Sequence, residues 1–336
     1  MVLSALQIRD ILREKIPANL VVAEHTETGH FYRHTPSNQL FASVTTKSGI
    51  LDAPHLKKWA AKLAVEHLIQ KIQLLPVENR TLPNMVSYQA EAILVHQDQF
   101  EEAGDVGTRG HKVVEDYLLQ WMKTGVRPLD IRKFITENDP RLYAISRSAE
   151  MFCKDFHVIP IVSEMFVCSP RYKFAGTLDS LMMVLNVKEK GDDSCARQLN
   201  IEGGQGREHE LWQASTSNPN KVRCVHCGLS GEYEFAIVDW KTSNSIDKVE
   251  YAMQVSAYWQ ALFEMTGLRP KRMYIVRLDK SQAKYEVRTI VNRSASFKAF
   301  VNTAKVYDWL NDGAEKLVSI NKKERVSIGD LNFNPV

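Results

Sequence analysis

Two neighbouring strand-like segments in the middle of the chain constrain its fold more than any other feature. Residues 158–168 are rich in Val, Ile and Phe, and residues 172–185 form a second run of the same kind. Only Ser169, Pro170 and Arg171 separate the two runs, and Ser and Pro are turn-forming residue types. Runs of this kind joined by a turn are typical of a β-hairpin. The sequence therefore predicts two antiparallel strands.

The elements predicted around this hairpin define an α/β core. Apolar spacing and stop signals indicate helices at 107–123, 139–156, 247–266 and 294–317, and strands at 234–240, 271–278 and 284–291. The last helix presents one broad apolar face, formed by Phe297, Phe300, Val301, Ala304, Tyr307 and Trp309 or Leu310. Between the hairpin and the next strand, residues 187–233 mix glycines with polar residues, which predicts an inserted, loop-rich subdomain.

The N-terminal region has a different pattern. Residues 1–105 are predicted to be mainly helical after a short β-like piece near 41–46, with a long helix over 54–73. The predicted organisation is thus a helical N-terminal region at 1–105 and a core at 106–318. The core contains the insertion at 187–233, and a tail follows at 319–336.

Composition excludes several classes of protein. No stretch approaches the roughly 18 consecutive apolar residues of a membrane span, and the N-terminus does not resemble a signal peptide. An odd, sparse set of five cysteines does not suggest a disulfide framework, so we expect a cytoplasmic protein without a membrane partner. A net charge of +3 permits a nucleic-acid partner without requiring one. No Gly-Lys-Ser/Thr follows the glycines at 104, 107 and 110, so no P-loop is expected.

The segment Val238-Asp239-Trp240-Lys241 carries the sharpest chemical signal. Residues two apart in a strand point to the same side, so Asp239 and Lys241 share one face while Val238 and Trp240 face the core. A carboxylate can hold a hard divalent cation, and an ammonium can stabilise an attacking hydroxide or the charge that grows on phosphorus. The pair suits phosphodiester cleavage, although an isolated Asp-x-Lys also occurs as a surface ion pair.

Three further segments supply groups for the same chemistry. Gly176-Thr177-Leu178-Asp179 presents a second carboxylate, and Mg²⁺ needs few protein ligands because it retains water. His111 and Glu115 are four residues apart on one helix face, and Gly107 and Gly110 permit close approach of another backbone. Gln254 and Tyr258 have the same helical spacing directly after the Asp-x-Lys strand.

The order of these segments resembles a known family. Gly-x-x-x-His-x-x-x-Glu, Gly-Thr-Leu-Asp, Asp-x-Lys-Thr-Ser and Gln-x-x-x-Tyr follow one another as in the RecB-like branch of the PD-(D/E)XK nucleases. The segment Ser43-Val44-Thr45-Thr46 is also similar to one found in certain exonucleases. These include phage enzymes related to the CRISPR-associated RecB-like nucleases, and the mitochondrial genome maintenance exonuclease. The resemblance covers roughly residues 40–260.

This resemblance implies a restriction-endonuclease-like core, a mixed central sheet flanked by helices, and metal-dependent DNA exonuclease activity. By it, His111, Asp179 and Asp239 would bind Mg²⁺ or Mn²⁺, and Lys241 would be the catalytic lysine. Glu164 matches a glutamate on the first core strand, either as a partner outside the ligand set or as a structural residue. Gln254 and Tyr258 complete the last motif. A phage-encoded enzyme would work in the host cytoplasm, with replication or recombination proteins as candidate partners.

The insertion departs from the family pattern, because relatives usually place the Asp-x-Lys strand shortly after Gly-Thr-Leu-Asp. It contains Cys224-Val225-His226-Cys227-Gly228, which has the form of a zinc knuckle and needs two more ligands. Cys195 and His209 are the best candidates, with His226 in reserve; the alternative is a surface loop with two reduced thiols. No cysteine lies beyond Cys227, so the iron–sulfur cluster of some relatives is not expected.

Three other functions remain open on the same residues. They are a non-catalytic DNA-binding or replication-associated module, a sequence-specific endonuclease, and a zinc-centred interaction protein. For DNA, either single strands or the ends of linear duplexes, the candidate backbone contacts are Lys57, Lys58, Arg109, Lys271, Arg272 and Arg277. Candidate base-stacking residues are Trp59, Trp121 and Tyr258.

Overall fold

The fold is taken from a computed structural model. It describes residues 4–17, 19–26, 29–51, 54–80, 82–189, 212–225, 228–246 and 249–313. Within these ranges the chain forms an α/β architecture in which helices flank a mixed ten-stranded sheet. No helix in the described ranges combines the length and apolar character needed to cross a membrane.

Ten strands of the described chain belong to the sheet. They are β1 (Val21–Thr26), β2 (Gly29–His34), β3 (Gln39–Ser43), β4 (Ile159–Ser169), β5 (Phe174–Glu189), β6 (Trp212–Ala214), β7 (Lys221–Cys224), β8 (Ser230–Lys241), β9 (Arg272–Leu278) and β10 (Tyr285–Thr289). β4 and β5 form the predicted antiparallel hairpin. β5 also pairs antiparallel with β8, and β8 pairs parallel with β9. The long strands β5 and β8 are therefore the centre of the sheet.

Seven α-helices of the described chain accompany the sheet. They are α1 (Ala5–Lys15), α2 (Val44–Ser48), α3 (Pro54–Leu74), α4 (Leu82–Thr124), α5 (Pro140–Asp155), α6 (Val249–Thr266) and α7 (Arg293–Asp308). Asp139 caps the N-terminus of α5 by accepting a hydrogen bond from the backbone N–H of Arg141. Gly125, with a φ of +73°, follows the end of α4, as expected for a glycine after a helix C-terminus.

Alternate residues of the central strands are buried on opposite faces of the sheet. On β8, Phe235 and Ile237 pack with α1, α6 and α7, whereas Ala236 and Val238 pack with α4 and α5. Because both faces are covered, these strands contain nearly continuous apolar runs. This alternation places Val238 and Trp240 in the α4–α5 core and directs Asp239 to the other face, as the sequence predicted.

Most of the predicted elements after residue 107 are confirmed. The helices predicted at 139–156 and 247–266 correspond to α5 and α6, and the strands at 234–240 and 271–278 correspond to β8 and β9. The strand predicted at 284–291 is β10. The last helix buries Phe300 and Ala304 but ends at Asp308. Trp309 and Leu310 follow in a π-helical turn and are exposed, because that turn breaks the 3.6-residue register of the apolar face.

The N-terminal region differs from its prediction in two respects. The predicted helix at 54–73 is α3. Where the sequence predicted only one short β-like piece, the structure has three strands, β1 to β3, which pair antiparallel. β3 joins this unit to the core by pairing parallel with β5. The helix expected to start at Gly107 begins at Leu82, so the boundary proposed between residues 105 and 106 falls inside α4.

The insertion is less irregular than predicted where the structure describes it. Residues 212–225 and 228–233 contain β6, β7 and the start of β8, which extend the central sheet by antiparallel pairing. β5 likewise continues to Glu189 instead of ending at residue 185. Some glycines and polar residues of this segment thus belong to the sheet, because hydrogen bonds to the neighbouring strand stabilise strands that lack an apolar pattern of their own. Residues 190–211 and the tail at 319–336 lie outside the described residues.

Candidate active site

The site lies at a fork in the sheet, beside the Gly-Thr-Leu-Asp segment of β5. On the edge of β5 away from β4, β3 pairs only with Phe174 and Ala175, and β8 starts to pair at Ser180. Residues 176–179 have no strand on that edge within the described chain. The strands β3 and β8 therefore diverge around these residues, and the gap between them exposes side chains to a cleft of about 650 Å³.

The carboxylate of Asp179 occupies the branch point of this fork. Its Oδ2 atom accepts a hydrogen bond of 2.8 Å from the backbone N–H of Trp240, just beyond the last pair between β5 and β8. The side chain is 12% exposed. Asp179 thereby ties the end of the Asp-x-Lys strand to β5, which explains why these two motifs meet despite the insertion between them.

Asp239 and Lys241 form a buried pair directly beside Asp179. Lys241 Nζ lies 2.7 Å from Asp239 Oδ2, and the two side chains are 15% and 2% exposed. Apart from Lys241, no donor of the described chain forms a hydrogen bond with either carboxylate oxygen of Asp239. A buried carboxylate whose one polar partner is a lysine keeps oxygen lone pairs available for a further positively charged group.

His111 and Glu164 complete a compact group with Asp179. One ligand atom from each of these three residues lies within 4.8 Å of the other two, and His111 Nδ1 is 4.0 Å from Asp179 Oδ2. Glu164 stands opposite Asp179 across the hairpin, because its neighbours Ser163 and Met165 pair with Ser180 and Leu178. The sequence analysis placed Glu164 outside the ligand set or gave it a structural role. In the structure its carboxylate belongs to the same compact group as the other two side chains, so it is a candidate ligand like His111 and Asp179. Asp239 does not belong to this most compact group.

Burial and mutual repulsion shift the protonation of these groups. Burial raises the pKa of Asp179. Burial and the charge of Asp179 also raise the pKa of Asp239, to about 6, although the positive charge of Lys241 acts to lower it. Partial burial and the charges of Asp179, Glu115 and Asp239 raise the pKa of Glu164 to about 8. These acids are crowded enough to retain protons that a cation would displace.

The two basic groups respond in opposite directions. Burial and the charge of Lys241 lower the pKa of His111 to about 4, so its imidazole is neutral and able to bind a metal. Burial also acts to lower the pKa of Lys241, but Asp239 and Asp179 outweigh it and raise that pKa above its ordinary value. Lys241 is therefore a charged group at neutral pH.

Gln254 and Tyr258 close the fork from the side of α6. The amide of Gln254 donates a hydrogen bond of 3.0 Å to the hydroxyl of Tyr258, and Tyr258 is 4% exposed. A Cβ atom on Gly176 would lie 2.7 Å from Cε1 of Tyr258, so only glycine permits this contact. Tyr258 is thus packed against the Gly-Thr-Leu-Asp segment and positions it, and its burial leaves no face for stacking on a base.

The Ser-Val-Thr-Thr segment has a structural role next to the fork. The hydroxyl of Ser43 accepts a hydrogen bond from the backbone N–H of Thr46 and thereby caps α2. The Thr46 hydroxyl in turn accepts a hydrogen bond from the N–H of His30 and donates one to the carbonyl of the same residue. This segment fixes the end of β3 against β2, and so fixes one branch of the fork.

The predicted DNA contacts occupy different environments. Lys57 and Lys58 are exposed on α3. Arg109 lies within 2.5 Å of Glu137 and 2.9 Å of Asp105, and Arg272 within 2.5 Å of Glu234. These two arginines are already neutralised by carboxylates of the chain, and a phosphate would have to displace those partners. Trp121 packs against Tyr117 and the α4–α5 core, so its predicted base-stacking role is not supported.

The predicted zinc ligands fall mostly outside the described residues. This applies to Cys195, His209, His226 and Cys227. Cys224 is buried at the end of β7, where its N–H donates to the carbonyl of Leu229 and its carbonyl accepts from the N–H of Gly228. Gly228 has a φ of +69°, and its hydrogen bond to Cys224 brings these two residues together between β7 and β8.

Sequence reasoning missed three residues that line or support the cleft. Phe166 and Thr177 line it, and the hydroxyl oxygen of Tyr32 is 3.2 Å from that of Thr177. Thr177 lies within a recognised motif, but Tyr32 comes from a strand that the sequence did not predict. Phe166 was interpreted only as one of the apolar residues that indicate the first hairpin strand. Only the pairing of β2, β4 and β5 around the fork brings the three together.

Comparison of the whole chain with protein-family models and with curated proteins finds no match in either case.

Proposed function

We propose that the chain is a metal-dependent deoxyribonuclease with a restriction-endonuclease-like core, in the manner of the PD-(D/E)XK nucleases. One observation carries this proposal. Within the described chain the buried carboxylate of Asp239 has Lys241 Nζ, at 2.7 Å, as its polar partner and accepts no hydrogen bond from another donor, and it borders a compact His–Glu–Asp group. Structural ion pairs satisfy their acceptors, whereas a site for a divalent cation leaves carboxylate oxygens available.

The residues present fit a hard divalent cation. His111, Glu164 and Asp179 converge within the coordination range of one ion once side chains adjust, and Asp239 borders them. Carboxylates with one neutral imidazole suit Mg²⁺ or Mn²⁺. Such an ion would bind a phosphate oxygen and lower the pKa of a bound water.

The chain's own groups have separable tasks in hydrolysis. Lys241 stays protonated because Asp239 and Asp179 surround it, so it acts as a fixed positive charge near the phosphate and not as a base. The hydrogen bond from Trp240 N–H holds Asp179 in place. Tyr258 and Gln254 support the glycine-containing segment before Asp179, so their removal should loosen the site without removing a ligand.

Exonucleolytic action on DNA, in replication, recombination or repair of the phage type, rests on the family resemblance. Single-stranded DNA or the ends of a linear duplex are the proposed substrates. An endonuclease on the same core would also cut closed circles. Incubation with end-labelled linear DNA and with closed circular DNA, each with and without Mg²⁺, separates the two: we expect loss of linear DNA only, and only with the metal.

The decisive variant is Lys241→Ala, with Lys298→Ala on the exposed side of α7 as the matched lysine control. We expect Lys241→Ala to lower kcat by about 100-fold or more, since removal of one fixed charge or donor from a transition state has effects of that size. Lys298→Ala should retain wild-type cleavage, and circular dichroism should show both variants folded. Absence of metal-dependent cleavage of DNA and RNA by the wild-type protein would contradict the enzyme proposal and favour a non-catalytic DNA-binding module.

A structural zinc ion in the insertion is a separate proposal. Its support is the Cys-x-x-Cys spacing, together with the hydrogen bond from Gly228 N–H to the carbonyl of Cys224. Metal analysis of the wild-type protein against a Cys224→Ser/Cys227→Ser variant tests it: one zinc per chain in the first and none in the second is the expected result. Equal zinc content, or no zinc in either, contradicts the proposal and leaves two reduced thiols.

A further inference from the structure

Phe166 is an exposed aromatic ring in the same cleft as the candidate metal ligands. It lies on β4 two residues after Glu164 and is 41% exposed. The cleft of about 650 Å³ is lined by His111, Glu164 and Asp179 together with Phe166 and Thr177. Tyr143 and Trp309 are exposed to a similar degree, but neither lines this cleft. Phe166 therefore offers an exposed aromatic surface beside the candidate ligands.

The ring is held in place by residues of two other strands. Tyr32 of β2 packs edge-on against it, with ring centroids 5.8 Å apart and an interplanar angle of 65°. Tyr32 is itself buried, and its hydroxyl oxygen lies 3.2 Å from that of Thr177. Thr177 is also the residue of β5 that pairs with Phe166. Phe166 is therefore supported from one side by a hydrogen-bonded aromatic residue, and it lines the cleft as well as a second hollow beside α1.

The electrostatics of the cleft explain why an aromatic surface would be needed. The cleft is lined by three acidic side chains, Glu115, Glu164 and Asp179, and by one lysine, Lys112. Lys112 is itself paired with Glu115 and Asp116, so the cleft offers a phosphate little positive charge apart from Lys241 and a bound cation, and a nucleic acid would gain from an anchor that does not depend on charge. Stacking on an aromatic face supplies one for any of the four bases.

We propose that Phe166 forms a binding subsite for one unpaired nucleobase beside the scissile phosphate. This inference rests on the proposed nuclease function and extends it to the substrate class. Two residues along a strand span about 6.5 Å, so a base on Phe166 has its phosphate group near the cluster that contains Glu164. A base within a duplex stack cannot offer its face to the ring. The preferred substrate is therefore a single strand or a duplex end that frays open.

The test uses the full chain and single-stranded oligodeoxynucleotides with 2-aminopurine or an abasic site at the terminal nucleotides. Wild type is compared with Phe166→Ala, Phe166→Leu and Phe166→Trp, and with Tyr143→Ala as the exposed aromatic control. Phe166→Leu keeps the apolar volume without an aromatic face, which separates stacking from packing. Cleavage is measured with Mg²⁺, and 2-aminopurine fluorescence is measured in EDTA.

We expect Phe166→Ala and Phe166→Leu to lower kcat/KM on single strands by about tenfold. Phe166→Trp should restore cleavage, and Tyr143→Ala should equal the wild type. An abasic terminal nucleotide should lower the kcat/KM of the wild type by a similar factor and should not lower the kcat/KM of Phe166→Ala any further. The wild type and Phe166→Trp should quench 2-aminopurine, whereas Phe166→Leu should not.

The outcomes separate this inference from the nuclease proposal. If the wild type cleaves and Phe166→Leu matches it in kcat/KM and quenching, the base subsite is refuted while the nuclease proposal stands. If no protein cleaves but quenching still depends on an aromatic residue at position 166, the chain binds unpaired bases without catalysis. Absence of both cleavage and quenching in the wild type overturns both proposals.

Discussion

Glu164 combines an unusual backbone conformation with an unusual charge environment. Its φ of +52° lies in the left-handed region, which costs a non-glycine residue about 1–2 kcal/mol. The same residue faces the carboxylates of Asp179, Glu115 and Asp239. Strain and like-charge repulsion at one position are characteristic of a functional site, since neither contributes to folding. Both are consistent with a carboxylate positioned for a cation.

The raised pKa of Glu164 predicts that the stability of the metal-free protein depends on pH. Below pH 4.5 the folded and unfolded chains both carry the proton; as the pH rises toward 8, the unfolded chain loses it while the folded chain retains it. Across that window the wild type should therefore lose stability relative to Glu164→Gln, whereas the raised pKa of Asp239 acts in both proteins. We expect the variant to gain on the order of 1 kcal/mol at pH 8, a modest value because solvent screens this exposed side chain.

Urea denaturation in EDTA at pH 5, 6.5 and 8 measures this difference. Glu14→Gln, on the exposed side of α1, is the matched control and should follow the wild type at every pH. A gain that is equal at pH 5 and pH 8 would show that backbone or packing effects dominate at position 164, not its charge.

At the scale of the element, α4 shows how one helix serves two purposes. Its C-terminal half packs Val114, Tyr117 and Leu118 into the core, and its face at His111 lines the cleft. Glycines at 104 and 107 lower helix propensity, yet the helix continues through both. At Gly107 the reason is close approach, since a Cβ atom there would lie 2.9 Å from the hydroxyl oxygen of Thr242, next to Lys241. At Gly104 nothing lies within 4 Å of that position.

These two glycines form a matched pair for mutagenesis. Gly104→Ala should stabilise the protein by up to about 1 kcal/mol, the gain in helix propensity. Gly107→Ala receives the same gain but displaces Thr242, so its unfolding free energy should lie about 1 kcal/mol or more below that of Gly104→Ala. Thermal and urea unfolding provide both values.

The double variant Gly107→Ala/Thr242→Ala identifies the cause. Removing the threonine hydroxyl should recover most of the stability lost in Gly107→Ala, because the clash involves that oxygen. Strictly additive effects of the two substitutions would argue that α4 and the end of β8 do not meet as described.

At the scale of the whole molecule, the chain divides into a well-packed core and a projecting helical pair. Both faces of β5 and β8 are buried by helices. In contrast, α3 packs against α4 and makes no substantial contact with any other described element. Its exposed apolar side chains include Val65 and Ile69. The start of α3, with Lys57 and Lys58, lies at the end of this pair nearer to the cleft, because the two helices run antiparallel.

This division predicts a gradient of local stability. Amide hydrogens of α3 should exchange faster than those of β5 and β8, since local opening of the helical pair exposes little core surface. Hydrogen–deuterium exchange with peptide resolution measures this order. Protection of α3 equal to that of β8 would indicate that another surface covers the helical pair in solution.

The metal proposal also has a thermodynamic consequence for the whole molecule. A cation that binds only the folded chain stabilises it by RT ln(1 + [L]/Kd), about 2.7 kcal/mol at a concentration 100 times Kd. Mg²⁺ or Mn²⁺ should thus raise the Tm of the wild type, and Asp179→Asn should abolish the rise while Glu14→Gln retains it. Equal shifts in Asp179→Asn and the wild type would locate the ion elsewhere.

The sequence by itself determined the features that arise from local periodicity. Alternation along 234–241 separated Val238 and Trp240 from Asp239 and Lys241, and the apolar runs with their turn defined the β4–β5 hairpin. Helical spacing likewise located α3, α5 and α6. Each of these depends on residues within one turn or one strand, where the side-chain period is set by backbone geometry. The candidate ligands His111, Asp179 and Asp239 and the candidate catalytic lysine Lys241 could be named because each belongs to a short motif, but their roles came from the order of those motifs and the family it resembles.

Only the tertiary structure decided how these pieces meet. The fork at residues 176–179 arises because β3 and β8 pair with different ends of β5, and no local pattern encodes that choice of partners. The same holds for the place of Glu164 in the compact group, for Phe166 supported by Tyr32, and for the carboxylates that neutralise Arg109 and Arg272. Each depends on contacts between residues far apart in the chain, whose energies exist only once the sheet has formed.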